Sequence, residues 1–238
     1  MQDKPNGHMR FLDKEAAILE AARGLKVLHL GCVGFADPAL RAQAVASPES
    51  ARRVAEASLH GALCRVSDAW GIDFCREAID IFERLGIFSR LFHGNAEKLE
   101  EVDLEQTFDL IIVGDLIEHL SNPGRMLEGI KRFCTRDTRI ILTTPHAMGL
   151  PNYLRFLLGR ADDGPEHVMT FSARHLENLL ERHGYEVEEM ATCHQPHARK
   201  KGALFTTGTL FMRRFPRLGG TLYAVARERA AETGAGPH

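Results

Sequence analysis

The stretch FDLIIVGD, residues 108–115, sets four aliphatic residues in a row, Leu110 to Val113, between a polar start and a Gly-Asp stop. A run apolar at every position suits a strand covered on both faces, inside a parallel sheet. Shorter runs recur along the chain. KVLHLGC (26–32), AWGIDF (69–74), SRLFHGNAEKL (89–99) and RIILTTPHA (139–147) read as four further strands, the last stopped by Pro145. Helical segments separate or precede them. RFLDKEAAILEAARG (10–24) carries apolar residues at helical spacing and a Gly stop. Residues 47–66 read as a helix with Ser47 as cap and Pro48 at its first position, CREAIDIFERLG as a helix closed by Gly86, and NPGRMLEGIKRFC as another. The core order thus reads βαβαβαβαβ, which implies a doubly wound parallel sheet with right-handed crossovers. The remainder differs. SARHLENLLERHGYEVEEMATC (172–193) is a helix stopped by Gly184 and then a strand, and GTLYAVARER (220–229), after a long loop, is a last strand. Two strands joined without a helix predict an antiparallel pair at the sheet's edge.

Composition narrows the function classes. The 238 residues are 44% hydrophobic and 26% charged, enough for one α/β domain with a sizeable core. A formal charge of −2 argues against a general nucleic-acid binder. No apolar run reaches membrane-spanning length, and MQDKPNGHMR lacks the apolar core of a signal peptide, so a cytoplasmic location is expected. The five cysteines form no CxxC pair, which points to reduced structural thiols and no zinc site. Residues 230–238 are expected to be a disordered tail.

Ligands of open α/β sheets sit beyond the carboxyl ends of the strands, where strand order reverses. Asp73 ends the second strand, where a carboxylate can accept two hydrogen bonds from ribose hydroxyls or simply cap the helix that begins near Cys75. At VLHLGC, GIDF, GNAEKL, FDLIIVGDLIEHLSNP and RIILTTP, in that order, the chain resembles the class I S-adenosylmethionine-dependent methyltransferases over residues 25–229. EHVMTFSARHLENLLERHGYEV looks like the late helix–strand segment of small-molecule methyltransferases, and DLIEHLSNPGRML looks most like the branch that methylates small molecules, sugars and lipid-linked intermediates. The resemblance implies a Rossmann-like, seven-stranded, mostly parallel sheet with an antiparallel last strand. Residues 1–24 would be a helical extension to it, 36–60 an insertion, and 147–170 and 196–218 substrate-side segments.

The resemblance also implies a cofactor, S-adenosylmethionine, and places it. Gly31, Cys32 and Gly34 would form the turn beside its methionine part, Asp73 would hold the ribose, and Phe74, Asn95 and Ala96 would border the adenine. Asp115 and Leu116 would line the floor near the amino group or sulfonium. One departure stands out. Where the family carries an acidic residue and three alternate glycines, this chain has His29, Gly31, Val33 and Phe35. A dinucleotide fingerprint G-x-G-x-x-G is absent.

Methyl transfer to a hydroxyl needs alignment of the reacting atoms and a base for the hydroxyl proton. His119, His167 and His146, in that order of preference, are the candidate bases. Asp115, Glu118 and His119 form a D-x-x-E-H cluster that could instead hold a divalent cation, although the leading expectation includes no metal. The segment 196–218 holds Arg199, Lys200, Lys201, Arg213, Arg214 and Arg217 without an acid, and is read either as a dock for a phosphorylated or lipid-linked substrate or as a solvated loop. The favoured function is O-methylation of a small-molecule or glycan-type acceptor, with no nucleic-acid partner and the oligomeric state open. A methyltransferase-like domain that binds without turnover is the alternative. A nicotinamide-dependent dehydrogenase is a third reading, disfavoured by the missing glycines.

Overall fold

A computed structural model describes residues 9–33, 47–159, 166–194 and 203–229, with side chains left out of account at 203–207. Gly34, Phe35, the tail 230–238 and the basic stretch Arg199–Lys201 lie outside the described residues. The strands are β1 (Phe11–Leu12), β2 (Lys26–Leu30), β3 (Asp68–Asp73), β4 (Leu91–His93), β5 (Phe108–Gly114), β6 (Cys134–Pro145), β7 (Tyr185–Cys193) and β8 (Thr221–Glu228). The helices are α1 (Lys14–Ala22), α2 (Pro48–Ala57), α3 (Leu59–Val66), α4 (Arg76–Arg84), α5 (Pro123–Ile130), α6 (Leu150–Leu157), α7 (Ala173–Arg182) and α8 (Ala203–Arg214). The strands form one sheet in the order β1-β7-β8-β6-β5-β2-β3-β4. All neighbours are parallel except the two pairs that β8 makes, with β6 and with β7. No helix among the described residues is long and apolar enough to cross a membrane.

The α/β fold is the expected one, and three details differ. The sheet has eight strands, not seven, because Phe11 and Leu12 pair with Thr192 and Cys193 along the free edge of β7. The antiparallel strand is interior, since β8 inserts between β6 and β7. The described part of the stretch read as an N-terminal extension is thereby built into the domain. Ile18 and Ala22 of α1 are fully buried, and burying an isoleucine contributes about 2 kcal/mol. The third difference is α8, a helix inside the stretch read as a long loop.

Strand alternation divides the core. Leu28, Leu30, Ile111 and Val113 pack on one face of the sheet with Met126, Leu127 and Ile130 of α5 and with Leu176 and Leu180 of α7. Val27, Leu110, Ile112 and Ile141 pack on the other with Ile18, Ala22 and Leu63. The predicted helix at 47–66 is two helices. The Ser58 hydroxyl donates to the Ala55 carbonyl and accepts from the Gly61 amide, closing α2 and capping α3. Gly61 is needed there, because a Cβ would stand 2.1 Å from the Ala55 carbonyl oxygen.

Candidate functional site

Strand order reverses between β2 and β5, so the crevice lies where the turns after these strands meet. They meet at Gly31 and Leu116. Gly31 has φ +72°, and a Cβ on it would stand 3.3 Å from Leu116 Cδ1. A side chain there would strain the backbone and crowd the leucine. Beyond Gly31 the turn is packed from behind. Cys32 and Val33 are 4% and 6% exposed, in an apolar cluster with Ala51 and Ala55 of α2 and Ala78, Ile79 and Phe82 of α4. Val33, at a position where the resemblance implies glycine, packs against α2. Cys32 lies over Gly71 of β3, and burial, followed by the Asp73 charge, holds its thiol well above the usual range. It is a structural thiol whose backbone, not its sulfur, faces the turn.

Asp73 sits at the end of β3, 5% exposed. One carboxylate oxygen accepts from the Val33 amide and the other from the Cys75 amide, each at 2.9 Å. Burial pushes its carboxyl up in pKa, and the amides of Cys75 and Val33 pull it back. Asp73 therefore ties the first turn to the start of α4. Each oxygen retains a second lone pair, so the ribose role and the capping role are compatible. Beside it Phe74 is 65% exposed at the strand end, an apolar face open to a flat ring. Asn95 spends its side-chain oxygen capping the following 3₁₀ turn through the Glu97 amide, while Ala96 packs against the main core. The adenosine that the resemblance implies has room along this row of backbone turns beside one open aromatic.

The other half of the crevice follows β5 and β6. Asp115 has φ +47°, the single positive φ of a non-glycine among the described residues. Its amide donates to the Thr143 carbonyl, its Oδ1 accepts from the Thr143 hydroxyl at 2.9 Å, and its Oδ2 pairs with the Lys14 ammonium. Glu118 is 1% exposed; its Oε2 accepts from the Thr144 hydroxyl at 3.0 Å, and its Oε1 is buried with no hydrogen-bond partner. Burial, followed by the Asp115 charge, pushes its carboxyl up to about 7. The Val168 and Met169 amides both donate to the Glu118 carbonyl, which lays the 166–169 loop against the turn after β5. That loop brings His167 to His119, with ring centroids 4.8 Å apart and planes at 76°. His119 Nδ1 is 3.1 Å from the Glu166 carbonyl oxygen. A carbonyl can only accept, so Nδ1 carries the proton and Nε2 of the neutral ring holds the lone pair.

The structure thus unites Glu118, His119 and His167, and sets His146 apart. His146 is 5% exposed, its Nδ1 donates to the Gly219 carbonyl at 3.0 Å, and burial lowers its pKa. It staples the end of β6 to the segment before β8. Lys14, Thr143 and Thr144 were not among the residues expected at the site. The threonines carry a signal, the TTP that ends a strand at the crevice, but Lys14 carries none, standing 101 residues from its partner. A cavity of about 330 Å³, lined by Arg52, His60, Arg65 and Arg90, opens near the starts of β3 and β4, away from these groups.

A family model described as a methyltransferase domain matches residues 48–190, beginning just after the altered turn. Among solved structures, one titled a S-adenosylmethionine-dependent methyltransferase, possible histamine N-methyltransferase, from Thermotoga maritima superposes with a TM-score of 0.56 at 13% identity, covering 90% of this chain and 87% of that one. The YcgJ protein of Bacillus subtilis superposes with 0.54 at 16% identity, covering 91% and 98%. Magnesium protoporphyrin IX methyltransferase of Synechocystis, solved with bound S-adenosylhomocysteine, superposes with 0.51 at 13% identity, covering 91% and 82%. At these identities the structures speak for the fold. No curated protein sequence matches the chain.

Proposed function

The chain belongs to the methyltransferase-domain family, and from that membership we propose that it methylates a hydroxyl of a small-molecule, sugar or lipid-linked acceptor. The methyl donor is S-adenosylmethionine, which when bound supplies a methyl already activated on a sulfonium. The protein's own tasks are then to hold the donor, orient the acceptor and take the hydroxyl proton. Gly31 lets the backbone come close to the donor, Asp73 offers its spare lone pairs to the ribose, and Phe74 covers the adenine. Asn95, Ala96, Asp115 and Leu116 border the rest. His119 receives the proton on Nε2, with Glu118 and His167 beside it, and His146 holds the end of β6 to the segment before β8.

The observation that carries this reading is the fixed tautomer of His119, whose basic nitrogen is turned from the Glu166 carbonyl beside a second imidazole and a buried carboxylate. Support for a lipid-linked acceptor comes from the substrate-side segments. Tyr153, Leu154, Phe156 and Leu157 of α6 are exposed, and so are Leu210 and Phe211 of α8, which are followed closely in the chain by Arg213, Arg214 and Arg217. Exposed apolar side chains and cations of this kind suit an apolar chain ending in an acidic headgroup.

Calorimetry with S-adenosylmethionine, S-adenosylhomocysteine and NAD, followed by transfer of labelled methyl to a panel of hydroxylated acceptors, tests the proposal. Expected are binding of both sulfur compounds, no binding of NAD, and label in an ether. Binding without label in any acceptor would favour a domain that binds but does not turn over, a reading to which the buried Asp73 and the non-glycine Val33 lend weight. Label in an amine product would overturn the hydroxyl assignment.

A further inference from the structure

Glu118, His119 and His167 share a second property, which rests on the reading that this mouth takes the acceptor. One ligand atom from each, a carboxylate oxygen and two imidazole nitrogens, lies within 4.8 Å of the others. Glu118 Oε1 is buried without a hydrogen-bond partner. Leaving a buried acceptor unsatisfied costs about 1–3 kcal/mol, and more for a charged one, so such an atom in a crevice calls for a ligand. The His119 Nδ1–H bond to the Glu166 carbonyl is the outer-shell bond that orients a metal-ligating imidazole. The Thr144 hydroxyl does the same for the carboxylate through Oε2.

We propose that Glu118, His119 and His167 bind one divalent transition-metal ion. Two imidazoles and one carboxylate suit manganese, iron, cobalt, nickel or zinc, whereas magnesium and calcium prefer an all-oxygen set. Three protein ligands leave positions open for water or for the acceptor. Asp115 does not belong to the set, because its two oxygens are held by Thr143 and Lys14. The ligands thus come from two loops, the turn after β5 and the 166–169 loop, and not from the D-x-x-E-H stretch alone. Coordination lowers the pKa of the acceptor hydroxyl. Its O–H bond breaks with the proton passing to water, and the oxygen pair forms the new O–CH₃ bond as the donor's S–CH₃ bond breaks. In the loaded state the imidazoles serve as ligands, and the ion replaces His119 in activating the hydroxyl.

Protein stripped with a chelator is titrated with Mn²⁺ and with Zn²⁺ by calorimetry, with Mg²⁺ as competitor, and the Mn²⁺ form is examined by pulsed electron paramagnetic resonance. Expected are one equivalent bound, coupling to imidazole nitrogen, and resistance to millimolar-scale Mg²⁺. Glu118→Gln and His167→Ala should each weaken binding at least about tenfold, while His183→Ala, on the far side of α5, should not. The proposal is overturned by the absence of stoichiometric binding, by nitrogen-free spectra, or by unchanged affinity in both ligand variants. The spectra of unaltered protein decide the matter even where a variant fails to fold. Full methyl transfer after chelation would remove the ion and leave the methyltransferase reading standing. Stoichiometric metal binding with no methyl transfer to any acceptor would do the reverse.

Discussion

The two halves of the crevice treat their polar groups in opposite ways. On the donor side, after β2 and β3, Asp73 is satisfied by the Val33 and Cys75 amides and Asn95 by the Glu97 amide. On the acceptor side, after β5 and β6, Glu118 keeps a buried oxygen without a partner, and His119 is held in the tautomer that frees its other nitrogen. A polar group answered by its own backbone contributes to the fold whether or not a ligand is present. An unanswered one burdens the fold by a cost that a ligand relieves. On the proposed assignment, the donor side is a stability element that also binds, and the acceptor side is a reactive element that the fold tolerates.

Substitution on the acceptor side should separate activity from stability most sharply. His119→Ala is expected to lower kcat by about 10²–10⁴, the range for loss of a positioned proton acceptor. Donor affinity measured by calorimetry and the thermal midpoint should stay near those of the unaltered protein. A parallel fall in donor affinity would break the division between the halves.

Asp73→Ala should do the opposite. It orphans two buried amides, at about 1–3 kcal/mol each, and relieves the cost of burying a carboxylate. A net loss of about 2 kcal/mol in urea unfolding is expected, together with weaker donor binding. If stability falls and the affinity of the folded fraction is unchanged, Asp73 serves only as a tie.

These contrasts explain what was legible in the chain. Buried parallel strands announce themselves, since Leu110–Val113 are aliphatic at every position and Val27, Leu28 and Leu30 are interrupted only by a buried His29, and order along the chain supplied the sheet. The candidate positions at strand ends followed from that order, and the roles given to them from the resemblance. The break at Ser58 was missed, although a serine three residues before a glycine inside the 47–66 stretch marks it. Other features depend on contacts between distant segments. β1 is two residues long and carries no periodicity. ALFTTGTLFMRR holds three threonines and a glycine, weak helix formers, so α8 read as loop. Nothing near Asp73 indicates that Val33 will use its carboxylate, or near His29 that His60 will stack on it.

That histidine pair lies outside both halves and predicts a pH effect. The rings of His29 and His60 stack at 5.6 Å, each with a buried Nδ1 that has no hydrogen-bond partner. Burial lowers the pKa of both, with His60 adding to the effect on His29 and His60 itself reaching about 4. Between the unfolded value near 6.5 and these lowered values, the unfolded chain binds protons that the folded one refuses. Stability is therefore complete above pH 6.5 and lost as the pH falls, by up to about 1.4 kcal/mol per pH unit for each histidine. Urea unfolding at pH 7, 6 and 5 measures that slope, and His60→Phe, which keeps a ring against Phe88, should roughly halve it. An undiminished slope would place the acid sensitivity elsewhere.

Lys14 joins the halves, and its removal should have the smallest effect with the most informative sign. Its ammonium reaches from the first turn of α1 to Asp115, the residue held at φ +47° beside the donor floor. Side-chain exposures of 16% and 31% put the pair between a surface bridge and a buried one, so Lys14→Met should cost about 1 kcal/mol. The consequence for the donor runs the other way. A carboxylate already paired with a lysine has less to offer the amino group of S-adenosylmethionine, and removing the lysine frees Oδ2 for that second cation. Donor affinity should therefore rise about threefold, roughly 0.6 kcal/mol, even as stability falls. A fall in affinity would mean that Lys14 is needed to hold Asp115 in place for the donor, so that the ion pair serves the donor site as well as the fold.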